Sequence, residues 1–337
     1  SDLVEKYNYY RRVMKNKFIV FFLFFGLLAF SNFEANAQCF ASPGNPVAGS
    51  ANVGVLHPRI FRLVLFHKFS YSDSYYSGSK FNEYDFPAAI KNANYNYTGM
   101  SLAYGLKPKL SLELDLGYFI NKTQNYRYID YQLKGYGLSN IGLTAKYNIY
   151  KNPVKMLEIT VGGGLKAPFR LEPQVVNGVR LDVDVQPSTG NFGFNLQALF
   201  VKEFENISTR LIVLSRYDNN FTVNRMGYKF GDAFSNSIFI SKHLANKYTE
   251  LTKDITIICQ FRHEYKKVNY LNGKVVKASG SNILYIAPQI NYNFKMVWNF
   301  SFIFEKPIYH YYNETQLGNK YSLLLSITKD IGYKIKM

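Results

Sequence analysis

Glu113 and Asp115 stand two residues apart in the run Leu110-Ser-Leu-Glu-Leu-Asp-Leu-Gly-Tyr-Phe-Ile120. Carboxylates so placed can pair with basic neighbours or line a path for a solute, and the element that carries them decides which surroundings they meet. Polar side chains at matching positions of other segments are Lys146, Glu158, Lys166, Gln197, Arg210, Gln260, Arg262 and Glu264. Both signs are represented, so these groups can form a salt-bridge and amide network, a polar track past opposed charges, or both. Covalent chemistry has a weaker basis. His263 is a candidate base at a strand end, but no Gly-x-Ser-x-Gly elbow accompanies it. His57, His67, His243 and His310 are dispersed without metal-ligand spacing, so neither a metal nor a cofactor is expected. Gly162-Gly163-Gly164 lies inside a strand with no helix after it, which suits a bend in a wall better than a phosphate loop.

The element carrying Glu113 and Asp115 is a strand. Leu110, Leu112, Leu114, Leu116, Tyr118 and Ile120 share one parity, with Ser111, Glu113, Asp115 and Gly117 on the other. A helix would scatter leucines and carboxylates around its whole circumference. The run matches the roughly 9–11 residues of a tilted membrane-crossing strand and exceeds the roughly 5–6 of a globular one.

Export follows from the amino-terminal region. Met14-Lys-Asn-Lys17 precedes an apolar run from Phe18 to Phe30 and then Ala35-Asn-Ala37, the pattern of a signal peptide over residues 14–37 with cleavage after Ala37. Residues 1–13 read as translated upstream sequence. Cys39 follows Ala37-Gln38 rather than a small-residue lipobox, so no lipid anchor is expected. Residues 38–58, rich in Pro, Gly and Ser, form a periplasmic lead-in or plug, and residues 59–337 form the main domain.

Composition narrows the class. Aromatics make up 17% of the chain, with 29 Tyr and 28 Phe against one Trp, as expected where many strand ends meet two membrane interfaces. The formal charge of +17 is scattered through loops and strand ends, which suits anionic headgroups or solutes and argues against a nucleic-acid partner. Only Cys39 and Cys259 could pair, and two free thiols are the simpler expectation.

Twelve strands emerge at about 60–71, 95–106, 110–120, 138–150, 156–166, 191–201, 207–217, 233–243, 255–265, 283–292, 298–305 and 321–331. Links alternate between short, such as Lys107-Pro-Lys109, and long, such as 72–94. A β-sandwich or jelly roll also alternates polar and apolar residues but does not predict long links at every second connection. The expected fold is therefore all-β, a transmembrane antiparallel barrel of about twelve strands in the bacterial outer membrane, with short periplasmic turns and long extracellular loops. Its polar parity faces the lumen. The loop carrying Pro168, Arg170, Pro173, Arg180 and Pro187 is stiff enough to fold inward as a constriction.

Val161-Gly-Gly-Gly-Leu-Lys-Ala-Pro-Phe169, followed by Asp184-Val-Gln-Pro-Ser-Thr-Gly190 and an aromatic strand, resembles the outer-membrane barrel family of the MetA pathway of phenol degradation, a relative of FadL-type channels. Ala287-Pro-Gln-Ile290, the Trp298 strand and Pro307 through Thr315-Gln-Leu-Gly318 are similar to the closing hairpins of transporter-like barrels of Bacteroidetes. The sequence departs from that pattern at Phe169, Arg170 and Ser188, and it ends Lys334-Ile-Lys-Met rather than on an aromatic residue. The resemblance implies a passive channel for a small hydrophobic or aromatic solute, with lipid and that solute as its partners. Two other roles suit the same residues: a closed barrel that anchors a protein partner through Ser72–Asn94 or the lead-in, and a rim hydrolase using His263.

Overall fold

Period-two patterning sustained over eleven or more residues commits segment after segment to extended backbone, and hydrogen bonding then joins each segment to the next. The computed structural model describes residues 54–83, 86, 89–244, 254–294 and 298–332. Its main strands are β1 (Phe61–Ser72), β2 (Ile90–Lys107), β3 (Leu110–Tyr126), β4 (Asn140–Asn152), β5 (Leu157–Pro168), β6 (Gly193–Phe204), β7 (Thr209–Asn220), β8 (Ala233–His243), β9 (Ile255–Lys266), β10 (Ser281–Phe294), β11 (Trp298–Gly318) and β12 (Tyr321–Ile331). Each pairs antiparallel with its successor, and β12 pairs with β1 from Phe61↔Ile331 to Tyr71↔Tyr321. The sheet therefore closes into a barrel without a free edge, the arrangement that satisfies backbone polar groups in lipid. The expected upstream segment 1–13, the expected signal peptide 14–37 and residues 38–53 of the expected lead-in lie outside the described residues.

At one end the links are tight. Residues 108–109 join β2 to β3. In the β4–β5 link, Asn152 Oδ1 accepts from the backbone N–H of Lys155 at 2.9 Å. A single 3-10 turn, Glu205–Ile207, joins β6 to β7 and is closed by Ser208 in the left-handed region at φ 48. At the other end, several stretches expected as loop are strand. Ser74–Gly78 and Lys80–Asn82 form a hairpin, and Gln132–Leu138 pairs with β3. β11 continues past Glu305, leaving β12 to run along β10 as far as Ser281↔Tyr312. These stretches mix Tyr with Asn, Ser and Lys and so lack a clean two-face pattern. Neighbouring strands, rather than local periodicity, hold them extended.

The outward parity carries an apolar belt, with Leu65, Leu112, Leu143, Leu165, Leu196, Ile238, Ile290, Phe302 and Leu325 all exposed. Aromatic side chains flank it at both ends. Tyr104, Tyr147, Phe204, Tyr292 and Phe300 stand toward the short links, and Tyr118, Tyr265 and Phe234 stand toward the long ones. Apolar belts bounded by two such girdles suit a bilayer. Cys259 is a buried free thiol on this outward parity, and Cys39 falls outside the described residues.

The inward parity is not uniformly polar. Val64, Phe66, Tyr95, Tyr97, Phe119, Ile303 and Leu324 form one buried cluster, and Leu199, Ile212, Leu214, Phe239 and Ile258 form another. A twelve-strand lumen is narrow enough for side chains to span much of it, and apolar groups fill the wall without needing partners. Glycines make room for the rings. Phe66 stands opposite Gly99 in register, and a Cβ added at Gly99 would fall 2.0 Å from Phe66 Cζ. Likewise a Cβ at Gly117 would fall 1.8 Å from Tyr97 Oη. Among the rings is an ion pair with almost no water contact, Lys68 Nζ to Glu305 Oε1 at 2.8 Å, the two side chains 2% and 1% exposed.

Gly99→Val is expected to destabilise the barrel by about 1–3 kcal/mol through overpacking against Phe66. Its effect should combine with that of Phe66→Ala to less than the sum, as read by urea unfolding in detergent. Removing one partner of the buried pair, as in Glu305→Ala, should cost about 3–5 kcal/mol. The pair replacement Lys68→Met with Glu305→Leu should cost less than that single change in the same assay.

Candidate functional site: the lumen

Alternation decides which side chains enter the lumen, so each strand can be followed from the short-link end along its inward positions. β7 presents Arg210, Ile212, Leu214, Arg216 and Asp218 in that order. β6, antiparallel to it, presents Glu203, Val201, Leu199, Gln197 and Asn195 in register with them. β8 contributes His243, Ser241, Phe239, Ser237 and Ser235. Read along the axis, the lumen on this side is polar, then apolar, then polar.

The first polar zone is a vestibule at the short-link end, a cavity of about 630 Å3 lined by groups that include Arg62, Glu203, Arg210, His243, Asn291 and Asp330. Its charges are paired. Arg62 Nε and Nη2 both donate to Asp330 at 2.6 Å, and Arg210 pairs with Glu203 at 2.5 Å. Part of the opposite side of this mouth is occupied by the lead-in, where the Leu56 N–H donates to Ser111 Oγ at 2.7 Å. Gly54 lies against the Glu158 carboxylate, and a Cβ there would fall 2.5 Å from it. The portion of the expected lead-in or plug within the described residues thus sits inside the barrel mouth.

Above the vestibule the lumen is packed. Ile212, Leu199, Leu214, Phe239 and Ile258 are buried together, with Thr160, Asn148, Gln260 and Gln289 buried around the same zone. We call this layer the septum. On the β9–β12 and β1 side the packing continues upward through Lys68, Glu305 and Arg262, whose guanidinium lies 4.8 Å from the centre of the Tyr285 ring. Arg262 Nη1 and Lys266 Nζ both reach Glu264, at 3.1 and 2.5 Å, and all three side chains are at most 5% exposed.

Beyond the septum, the β3–β7 side opens into a second polar zone. Arg216 donates to Asp218 through Nε at 2.7 Å and Nη2 at 3.0 Å, and the two side chains are 17% and 26% exposed. Glu113 accepts from Lys146 at 2.6 Å and is 20% exposed, while Asp115, Lys166 and Gln197 are half-buried. Glycines line this wall. At Gly164 the absence of a side chain lets Asn195 Nδ2 donate across β5 to Thr144 Oγ1 at 3.4 Å. Gly162 and Gly164 therefore allow close contact inside the lumen, while Gly163 faces outward beside Leu196.

The long loop between β5 and β6 covers this upper chamber. Lys122 shares the inward face with Tyr95 and donates from Nζ to the Gln186 carbonyl at 2.9 Å. Leu181 and Val185 pack on Leu133, and the Thr189 hydroxyl and backbone N–H both bond Asn140, which lies one inward position beyond Gly142. Asn224 Nδ2 donates to the Thr189 carbonyl at 2.9 Å and ties the loop to the β7–β8 connection. The covering part of the loop is 181–189, with Pro187 buried in it. Pro168 and Pro173 are half-buried, whereas Arg170 and Arg180 are exposed.

All ten residues expected in the lumen have inward parity, but they fall into different settings. Asp115, Lys166, Gln197, Glu113 and its partner Lys146 belong to the upper chamber. Arg210 belongs to the vestibule, and Glu158 lies beside the lead-in. Gln260, Arg262 and Glu264 are in the packed wall. Lys68, Arg216, Asp218, Glu305 and the apolar septum were not singled out from the sequence. Arg216-Tyr-Asp218 on a strand was the available signal for a lumenal ion pair. His263 faces outward, with Nε2 2.7 Å from Asn282 Oδ1.

No family model matches this chain, and no curated protein matches it. Among solved structures, an outer-membrane channel from Pseudomonas putida F1 is similar at a TM-score of 0.64 and 13% identity, covering 84% of this chain and 99% of that one. A FadL homologue from Pseudomonas aeruginosa is similar at a TM-score of 0.44 and 7% identity, covering 88% of this chain and 99% of that one. The KdgM porin is similar at 0.40 and 11%, covering 80% and 98%. The fold of this chain is that of outer-membrane barrels.

Proposed function

We propose that this protein is an outer-membrane channel for a small solute, with the short links and lead-in in the periplasm and the long links outside. The observation that carries this reading is the pair of polar, accessible zones at the two ends of one lumen. A barrel serving only as an anchor needs neither. The apolar septum between the zones acts as a gate, since apolar constrictions resist wetting until they widen. The 181–189 segment acts as the outer constriction.

The family resemblance brings a hydrophobic or aromatic solute with it. The chamber lining, with carboxylates and cations side by side, favours a polar one. The packed septum favours a second reading, a closed barrel that holds a protein partner through its loops or lead-in. Lipid is the medium in either case.

Recordings in planar bilayers separate the two readings. We expect brief, small openings from the intact barrel. Thinning the septum with Phe239→Ala and Leu199→Ala should raise the open fraction several-fold, because cavity-forming changes remove the groups that seal it. Deleting 181–189 should lengthen openings, and the outward change Leu196→Ala should leave conductance unaltered. If neither the intact, the septum-thinned nor the loop-shortened barrel conducts, the channel reading fails and the anchor reading stands.

A further inference from the structure

Three residues of the upper chamber stand in one row across three strands. Asp115 on β3 is in register with Gly142 on β4, and Gly142 is in register with Lys166 on β5. All three have inward parity and are partly accessible. Two strand spacings separate the Cα atoms of Asp115 and Lys166, roughly 9–10 Å. A carboxylate and an ammonium thus flank a position that has no side chain. A Cβ built on Gly142 would sit in ordinary contact with Asp115, 3.7 Å from its Cβ and 3.8 Å from its Oδ2, so the carboxylate leans over Gly142 and no backbone crowds the position. Lys166 leans the other way, its Cε 3.0 Å from a Cβ built on Gly193, which widens the gap over Gly142.

Asp115 has a hydrogen-bond partner in Ser101, its register neighbour on β2, and the like charge of Glu113 nearby, but the cations and carboxylates around the row are paired with one another. The opposite charges near Asp115 are Arg216 and Lys146, and those near Lys166 are Asp218 and Asp232. Arg216 and Asp218 hold each other in a two-bond pair, Lys146 is bonded to Glu113, and Asp232 is engaged by Lys267. Neither Asp115 nor Lys166 has an ion-pair partner within 4.0 Å among the described residues. The lid lies directly above, where Ser188 and Thr189 bond Asn140.

We infer that the Asp115–Gly142–Lys166 row is a subsite for a small zwitterion that lies across Gly142, its ammonium group bonding the Asp115 carboxylate and its carboxylate bonding the Lys166 ammonium on the Gly193 side. A neutral solute satisfies neither charge, and a simple anion or cation satisfies one while facing the like charge. The subsite selects by charge separation within one molecule. This inference rests on the channel reading for its purpose but not for its binding chemistry, and the two can fail separately.

The test is calorimetric titration of the detergent-solubilised full-length barrel with γ-aminobutyrate, with butane-1,4-diol, butyrate and butylammonium as comparators. The zwitterion should bind at least about tenfold tighter than each comparator, as two charge-assisted contacts against one or none require. Asp115→Asn and Lys166→Gln should each remove that preference, and the exchange Asp115→Lys with Lys166→Asp should restore it. The outward control Leu143→Ala should change nothing. A preference for any comparator, equal binding of all four, or a zwitterion preference that survives both single variants overturns the subsite. If the exchange variant misfolds, as shown by loss of its heat-modifiable gel shift, Gly142→Leu serves in its place, since it fills the gap and keeps both charges. Undiminished zwitterion binding by Gly142→Leu overturns the proposal. Binding without conductance in the bilayer recordings retains the subsite and removes the channel.

Discussion

Closure of β12 onto β1 is the constraint on which everything else depends. A membrane gives the backbone no water to bond, so every strand must find neighbours on both sides, and twelve strands satisfy this only as a closed wall. Closure fixes the alternation of faces, because a register slip by one residue would turn the leucine belt inward and the carboxylates toward lipid. It also fixes the width of the lumen. Polar groups forced inside such a space must find partners there, which accounts for Arg62–Asp330, Lys68–Glu305, Lys146–Glu113 and Arg216–Asp218 lying on the inner wall.

The lumen solves this packing problem unequally around its circumference. On the β9–β12 and β1 side, long charged side chains and rings interleave until water is excluded, and the packing reaches β2 and β3, where Gly99 and Gly117 receive the rings of Phe66 and Tyr97. On the β3–β7 side, Gly142 is free of close neighbours and the charges remain partly accessible above the septum. This asymmetry, together with the apolar band of Leu199, Ile212, Leu214, Phe239 and Ile258, divides the interior into a vestibule, a seal and a chamber. A gate built of apolar side chains needs no bond to break when it opens. A lid held by Lys122, Asn140 and Asn224 has hydrogen bonds that must be exchanged for water.

Much of the architecture is legible in the amino-acid sequence. Leu110–Ile120 announces both its strand and its two faces, and all twelve expected strands occur, because membrane-crossing strands carry their pattern locally. The extension of β11 to Gly318 was not legible, since its outer half is held by β10 and by Ser74–Gly78 across large sequence distances. The inward parity of the ten polar candidates was readable by counting in twos. Their division was not, because whether an inward charge is sealed or accessible depends on what faces it across the barrel. Arg262 is sealed by Tyr285 and the Lys68–Glu305 pair, whereas Asp115 looks over Gly142. Inward apolar residues such as Ile212 and Ile258 look from the sequence like breaks in an alternation and are in fact the seal.

Two accessible zones separated by a dry layer define the interior of this barrel. Single cysteines introduced at His243, Thr160 and Gln197, in a Cys39→Ser and Cys259→Ser background, can be challenged with a membrane-impermeant thiol reagent on barrels reconstituted in vesicles and accessible from both faces. Thiols at 243 in the vestibule and 197 in the upper chamber should react, and the thiol at 160 in the septum should stay unmodified. A thiol at 160 that reacts as fast as the other two would mean a continuous water column and no seal, and an inert thiol at 197 would mean no upper chamber; either result contradicts the account.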